Sequence, residues 1–462
     1  MILAKDQINR YMRHIAMPEI SGSGQKKLLD SSVVLFCENL RNASLALYYL
    51  VASGIGSIYC SVSDSSGWDR LSRSLSDLNS DAKAQLLDKE GMEGLDERPS
   101  TVIINGSLNF AGKTLRDICK DGSINISTPI VISLHDGWKG LVRTLASHAD
   151  VQEFLTEIDA LAATSSDSPT FDFSNSLSSY FASLIAVIEH IKQALSLGKP
   201  ISRALYFDLF NMNFDFIPDL ADAFDKLLSL DKRADSFAIP DCSRVLITGC
   251  GGLGSPAAFA LAASGAVELG LVDFDSVELS NLNRQIMHSS SRIGMPKVQS
   301  AELFLRQINP NLGLELLNVR ISKGNVQNII SSYDVIIGGF DNLPSRYVLN
   351  DACYAAGKPW IEGGALDISG LATTIIPGEG HCYRCIFPET EDNVLVPSCS
   401  ETGVLGPVPG IVGVVQAAEA LKLLAGTGEP LKNRILFFDV FDTDIYIADH
   451  GKNRYCDLCG KQ

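Results

Sequence analysis

The chain has 462 residues, of which 46% are hydrophobic and 20% charged; that is the composition of a soluble globular protein long enough for two or three domains. Lys plus Arg number 38 against 54 Asp plus Glu, a net charge of −16, which argues against a nucleic-acid-tracking surface but allows a local basic pocket for one nucleotide. The opening MILAKDQINRYMRH lacks an apolar signal core, and Gly, Pro and Gln interrupt the longest uncharged apolar stretch, between Glu401 and Glu419. Neither a signal peptide nor a membrane span is expected, and the chain reads as cytoplasmic.

In chain order, residues 31–64 (SSVVLFCENLRNASLALYYLVASGIGSIYCSVSD) run parallel to 243–275 (SRVLITGCGGLGSPAAFALAASGAVELGLVDFD). The Ser-rich stretches 61–80 and 164–179 read as loops. Residues 184–210 carry a Glu-x-x-Lys helix (Glu189, Lys192), then Gly198-x-Pro200, then a strand ending Tyr206-Phe207-Asp208; the same order returns as Glu419, Lys422, Gly428, Pro430 and Phe437-Phe438-Asp439. Two copies of one α/β domain follow from this, 1–217 and 241–462, joined by a linker at 218–240. Within the linker Leu220, Phe224, Leu227 and Leu228 have helical spacing.

The second copy carries nucleotide chemistry. A strand at Arg244–Thr248 leads into Gly249-Cys250-Gly251-Gly252-Leu253-Gly254 and an Ala-rich helix to Ser264. Glycines let backbone approach phosphates, and a helix N-terminus offers N–H groups to an anion. The next strand, Leu269–Asp273, ends in an acid 22 residues after Gly251, suited to a ribose hydroxyl. These features alone do not separate NAD from ATP. Ser280-Asn281-Leu282-Asn283-Arg284-Gln285, a helix opening at Lys297, and a strand Asp334–Gly338 leading into Asp341-Asn342-Leu343-Pro344-Ser345-Arg346 add more. Arginine and lysine suit a triphosphate and an aspartate beside them suits Mg²⁺, a set that a dehydrogenase does not need. Antiparallel strands are expected at Leu371–Ile376 and Ile435–Ile447. Of 11 cysteines, Cys382/Cys385 and Cys456/Cys459 form two Cys-x-x-Cys pairs that can close a structural Zn²⁺ site. Cys37, Cys60, Cys119, Cys242, Cys250 and Cys353 read as buried small apolar residues.

The motifs GCGGLG, LVDFD, VELSNLNRQ, GMPK, FDNLPSR, CYRC, CSETGVLGP and CDLC give residues 241–462 a close resemblance to the ThiF/MoeB/HesA adenylating superfamily, which includes ubiquitin-activating enzymes. The resemblance implies two Rossmann-like ThiF/MoeB-type domains forming an internal pseudo-dimer, of which only the C-terminal one is nucleotide-competent. Gly249, Gly251, Gly252, Gly254, Asp273, Asp275, Asn281, Arg284, Gln285, Lys297, Asp341 and Asn342 would form the ATP site, with Arg284 and Lys297 on phosphate oxygens and Asp341 on Mg²⁺. Cys399 falls where some members carry a thioester- or disulfide-forming cysteine and others a dispensable one, and both readings stay open. In the first copy Cys37-Glu38-Asn39-Leu40-Arg41-Asn42 replaces the glycine turn and Val62 replaces Asp273, so nucleotide binding is not expected there. Arg10-Tyr11-Met12-Arg13-His14 nevertheless resembles the family's N-terminal segment, which implies that Arg13 serves as an arginine finger for the other copy's site.

The implied reaction is ATP-dependent adenylation of the C-terminal glycine of a small ubiquitin-like or sulfur-carrier protein ending in Gly-Gly, with release of pyrophosphate and thioester or thiocarboxylate transfer through Cys399 as a further step. Two other readings are weighed: adenylation of a precursor peptide or small carboxylate, and, in another class, an NAD-binding oxidoreductase or a scaffold. No nucleic-acid or membrane partner is expected; whether two chains also associate is left open.

Overall fold

The computed structural model describes residues 3–87, 98–121, 128–162, 174–235, 237–265, 267–389 and 402–460. Its strands are β1 (Ser32–Cys37), β2 (Ser57–Val62), β3 (Lys83–Leu86), β4 (Thr101–Gly106), β5 (Ile130–Asp136), β6 (Lys139–Leu145), β7 (Ala204–Asp208) and β8 (Asn213–Ile217), then β9 (Arg244–Thr248), β10 (Glu268–Val272), β11 (Leu314–Leu317), β12 (Val335–Gly338), β13 (Trp360–Leu366), β14 (Ser369–Ile375), β15 (Arg434–Asp439) and β16 (Asp444–Asp449). They form two eight-stranded sheets, ordered β3-β2-β1-β4-β5-β6-β7-β8 and β11-β10-β9-β12-β13-β14-β15-β16. Each number in the second is its counterpart in the first plus eight. Five strands of each sheet are parallel and three antiparallel. The α/β class and the two Rossmann-like halves expected from the sequence are both present. The antiparallel strands belong to both halves, and Ile435–Ile447 is a hairpin, β15 and β16, broken at 440–443.

Local sequence accounts for the repeated unit. β1 and β9 are apolar runs buried from both faces, as central parallel strands require. The helix after β1, Leu40–Ser53, starts at an Asn39 cap whose side chain accepts from Asn42 N–H, and stops at Gly54 in the left-handed region. Its counterpart, Gly254–Ser264, stops the same way at Gly265.

Three local expectations change. Residues 68–78 of the Ser-rich stretch form a helix, because Leu71, Leu75 and Leu78 recur at helical spacing and bury the last two. Ser178 and Ser179 lie in the Ser174–Leu195 helix, buried among its apolar residues. Cys119 and Cys242 are exposed, one in the last turn of the Leu108–Asp121 helix and the other in a positive-φ turn before β9. The linker helix forms over Leu220–Leu228 and packs Phe224 edge-on against Phe154 of the first half, leaving Leu228 exposed.

The halves share one hydrophobic core, in which Tyr48 and Tyr180 of the first meet Phe259 of the second at ring distances of 6.1 and 5.3 Å. The Pro407–Ala425 helix is long and apolar enough to cross a membrane, but it is buried between both halves against Ser174–Leu195, Gly254–Ser264 and β13. A duplicated polar device lies beside the interface, which Lys192 Nζ crosses to donate to Thr443 Oγ1 at 2.7 Å. Glu189 pairs with Lys192 at 2.5 Å and accepts from Thr144 Oγ1 at 2.6 Å and Ile201 N at 2.9 Å. Glu419 pairs with Lys422 at 2.5 Å and accepts from Thr374 Oγ1 and from Leu431 N at 2.7 Å. Across the boundary, Lys199 N donates to Phe441 O at 3.0 Å and Glu429 N to Phe210 O at 2.8 Å. Gly198 and Gly428 permit this approach: a Cβ on either would fall 2.4 Å from Phe441 O or 2.9 Å from Phe210 O.

Candidate nucleotide site and four-cysteine centre

A cavity of about 190 Å³ opens at the C-terminal ends of β9, β10 and β12, where an open α/β sheet offers a crevice to ligands. Gly249, Gly251, Gly252, Asp273, Asp275, Arg284, Gln285, Lys297, Asp341 and Asn342 line it, and so does Arg13 from the other half. Gly254 and Asn281 sit behind the wall: Gly254 begins the helix, and Asn281 Oδ1 accepts from Glu278 N at 3.1 Å. Cys399 lies outside the described residues.

The glycines of the turn serve two ends. Gly249 has φ of +117°, and a Cβ on Gly254 would fall 1.8 Å from Gly249 O, so the chain itself requires glycine at both. Gly251 and Gly252 carry no such demand. Their Cβ atoms would meet Gln285 Nε2 at 3.6 Å, and Pro409 at 3.5 Å and Arg284 Cδ at 3.7 Å, all ordinary contacts. The room that these two leave faces the cavity.

The turn is braced from below. Asp273 Oδ2 accepts from Cys250 N at 2.8 Å and Oδ1 from Asp275 N at 2.9 Å, which leaves lone pairs on both oxygens for a ligand's hydroxyls. Burial raises the Asp273 carboxyl above its usual range while Lys297 and the two N–H donors oppose it. Lys297 is buried at the start of the Lys297–Ile308 helix and pairs with Asp275 at 3.1 Å. His288, which the sequence did not single out, places Nε2 at 2.9 Å from Cys250 O and Nδ1 at 2.9 Å from Ser300 Oγ. A carbonyl only accepts, so Nε2 carries the proton; burial pushes the imidazole down to about 3 and keeps it neutral.

Two further cationic wall residues were given no role of their own by the sequence. Arg320 lies over the Phe274 ring at 3.9 Å, on an irregular segment after β11 where no motif marks it. Arg346 donates to Phe340 O at 2.7 Å and pairs with the buried Glu362; its place in the FDNLPSR run was the available signal. Burial raises Glu362 to about 7 even against Arg346. The cavity thus gathers five cationic side chains, Arg13, Arg284, Lys297, Arg320 and Arg346, against the carboxylates of Asp273, Asp275 and Asp341. In a chain of net charge −16, that concentration fits a polyanion.

The same place in the first half is filled by protein. Register pairs Val33 with Thr101 and Val245 with Val335, so Glu38 stands at the Cys250 position and Ser107 at the Asp341 position. Glu38 accepts from Ser107 N at 2.8 Å and Ser107 Oγ at 3.1 Å, placing a carboxylate where a phosphate would need N–H donors.

Cys382, Cys385, Cys456 and Cys459 are buried with their sulfurs all within 4.8 Å of one another. Neighbouring sulfurs stand 3.9, 3.5 and 3.2 Å apart, close to the roughly 3.8 Å edge of a tetrahedron with 2.3 Å metal–sulfur bonds. Asn453 N–H donates to Cys385 Sγ at 3.3 Å, a contact that steadies a thiolate ligand.

Residues 239–458 match the ThiF family. Over 219 residues the chain is 45% identical to the SAMP-activating enzyme E1 of Haloferax volcanii, covering 47% of this chain and 81% of that one. It is 43% identical over 219 residues to the adenylyltransferase and sulfurtransferase MOCS3 of Arabidopsis thaliana, 47% of each chain, and 46% identical over 222 residues to that of Drosophila yakuba, 48% of this chain and 49% of that one. The chain spans about half the length of these MOCS3 relatives.

Proposed function

The chain belongs to the ThiF family, and on that premise we propose that it adenylates the C-terminal glycine carboxylate of a small ubiquitin-like or sulfur-carrier protein ending in Gly-Gly, consuming ATP and releasing pyrophosphate. The observation that carries the reading is the cavity in which Arg13 of one half joins Arg284 and Lys297 of the other around the glycine turn. The substrate carboxylate attacks the α-phosphorus, the bond to the β-phosphate oxygen breaks, and an acyl-adenylate forms. A carboxylate is already a nucleophile, so no general base is needed, and catalysis consists of positioning and charge neutralisation. Asp273 holds the ribose; Arg284, Lys297 and Arg13 offset charge on the phosphates; Asp341 would hold the Mg²⁺ that accompanies ATP. The four cysteines would hold Zn²⁺ in a closed, structural site. Cys399 is the candidate for a following thioester or thiocarboxylate step.

The test is ATP–pyrophosphate exchange with and without a carrier ending in Gly-Gly. Carrier-dependent exchange is expected. ATP binding without exchange for any carrier would move the substrate to a precursor peptide or small carboxylate. Gly251→Ala gives a sharper check on the turn. Its Cβ meets no protein atom closer than 3.6 Å, so thermal stability should hold while ATP affinity falls by about tenfold, or about 1.4 kcal/mol, by calorimetric titration. Unaltered affinity would place the phosphates elsewhere.

A further inference from the structure

Arg13 reaches the cavity from a helix of only four residues, Met12–Ile15, too short to hold a side chain in place by its own hydrogen bonds. Part of its anchorage comes from the other half. Val404 N–H donates to the Arg13 carbonyl at 3.3 Å, and Gly406 N–H donates to His14 Nε2 at 3.1 Å. His14 is fully buried, with Nδ1 2.9 Å from Gln25 Oε1, and Gln25 Nε2 donates in turn to Ser53 O at 3.0 Å. An amide N–H only donates, so Nε2 must be the bare nitrogen and Nδ1–H must donate to Gln25. Burial, with a smaller push from Arg284, brings the imidazole down to about 4, consistent with that neutral form. The hydrogen bonds form one file from Gly406 through His14 and Gln25 to the end of the Leu40–Ser53 helix. Glycine at 403 allows the approach, since a Cβ there would fall 2.4 Å from Arg13 O.

We propose that His14 is a positioning residue that latches the Arg13-bearing helix of one half onto the 403–406 backbone of the other, holding the guanidinium in the nucleotide cavity. The role rests on the adenylation reading and adds to it.

The test measures carrier-dependent exchange for His14→Asn and His14→Gln, each alone and with Arg13→Ala. Asn retains a donor toward Gln25 but is too short to reach Gly406; Gln keeps an acceptor at the distal position. His14→Asn should lower kcat about tenfold with the KM for ATP within twofold, and His14→Gln should recover to within threefold of wild type. In the Arg13→Ala background His14→Asn should cost nothing more, because the latch then has nothing to hold. An equal loss in both backgrounds, or Gln as slow as Asn, would overturn the proposal while wild-type exchange left the adenylation reading standing. Absence of exchange in the wild type overturns both. If His14→Asn does not fold, His14→Gln in both backgrounds and the ¹⁵N shifts of the wild-type imidazole still decide: a protonated Nε2 is incompatible with the latch.

Discussion

Arg13→Ala should slow carrier-dependent pyrophosphate exchange by about 10²- to 10³-fold, the usual cost of removing one pre-placed donor from a charge-developing transition state. ATP affinity should change much less, because the glycine turn, Asp273, Arg284 and Lys297 all belong to the second half and remain. The loss should therefore fall on kcat. Arg13→Lys restores the charge without the planar fork, and partial recovery is expected. The isolated sequence of the second half offers no replacement: Lys232 and Arg233 precede β9, and Arg233 is engaged with Asp231 and Glu429 at 3.2 and 3.1 Å. A rate within twofold of wild type for Arg13→Ala would mean that its place on the cavity wall serves packing alone.

Losing the four-cysteine centre should be more damaging still. Purified protein should hold one zinc per chain by elemental analysis, and Cys385→Ser should hold none. Structural zinc contributes apparent binding energies on the order of 10 kcal/mol in small domains, comparable to the whole stability of a typical fold. Here the centre ties residues 456–459 to the Tyr383–Ile386 helix. Tyr383 packs against Trp360, Tyr347 and Phe387 at ring distances of 5.9, 5.4 and 5.1 Å. Without metal, four buried thiols are left in mutual contact and that aromatic cluster loses its cover. A fall in Tm of about 10 °C or more is expected, from a loss of several kcal/mol at 2–4 °C each. A strong chelator should reproduce it; a reductant alone should not, because the thiols form no disulfide. Equal stability with and without chelator would make the cluster a set of free thiols.

The strands around the glycine turn could be read from sequence because each obeys a local rule. β9 is a short apolar run stopped by glycine, and Lys297 opens a helix of regular apolar spacing. The duplication was also legible, since the same residues recur at the same spacing. What stayed hidden depends on contacts distant in sequence. His14 takes its meaning from Gly406, 392 residues away, and Arg320 from a ring that the fold brings under it. The helix at 68–78 was masked by its serines, although Leu71, Leu75 and Leu78 carried the period. Of the antiparallel strands of the first half, the one ending Tyr206-Phe207-Asp208 was legible from the repeat, while β6 and β8 carry no chemistry that marks them.

The reciprocal bonds from Lys199 N to Phe441 O and from Glu429 N to Phe210 O pair the two halves around an internal two-fold relation. In a homodimer every substitution occurs twice, so a change that ruins one nucleotide pocket ruins both. A single chain escapes that rule. Its halves meet at a high effective concentration set by a short connection, and each position can vary on its own. Glu38 closes one pocket without touching the other, and the arginine segment is present only where it is used. Covalent joining turns a symmetric assembly into one whose parts can specialise, and outside the Arg13 segment the surface of the first half is then free of any duty to nucleotide.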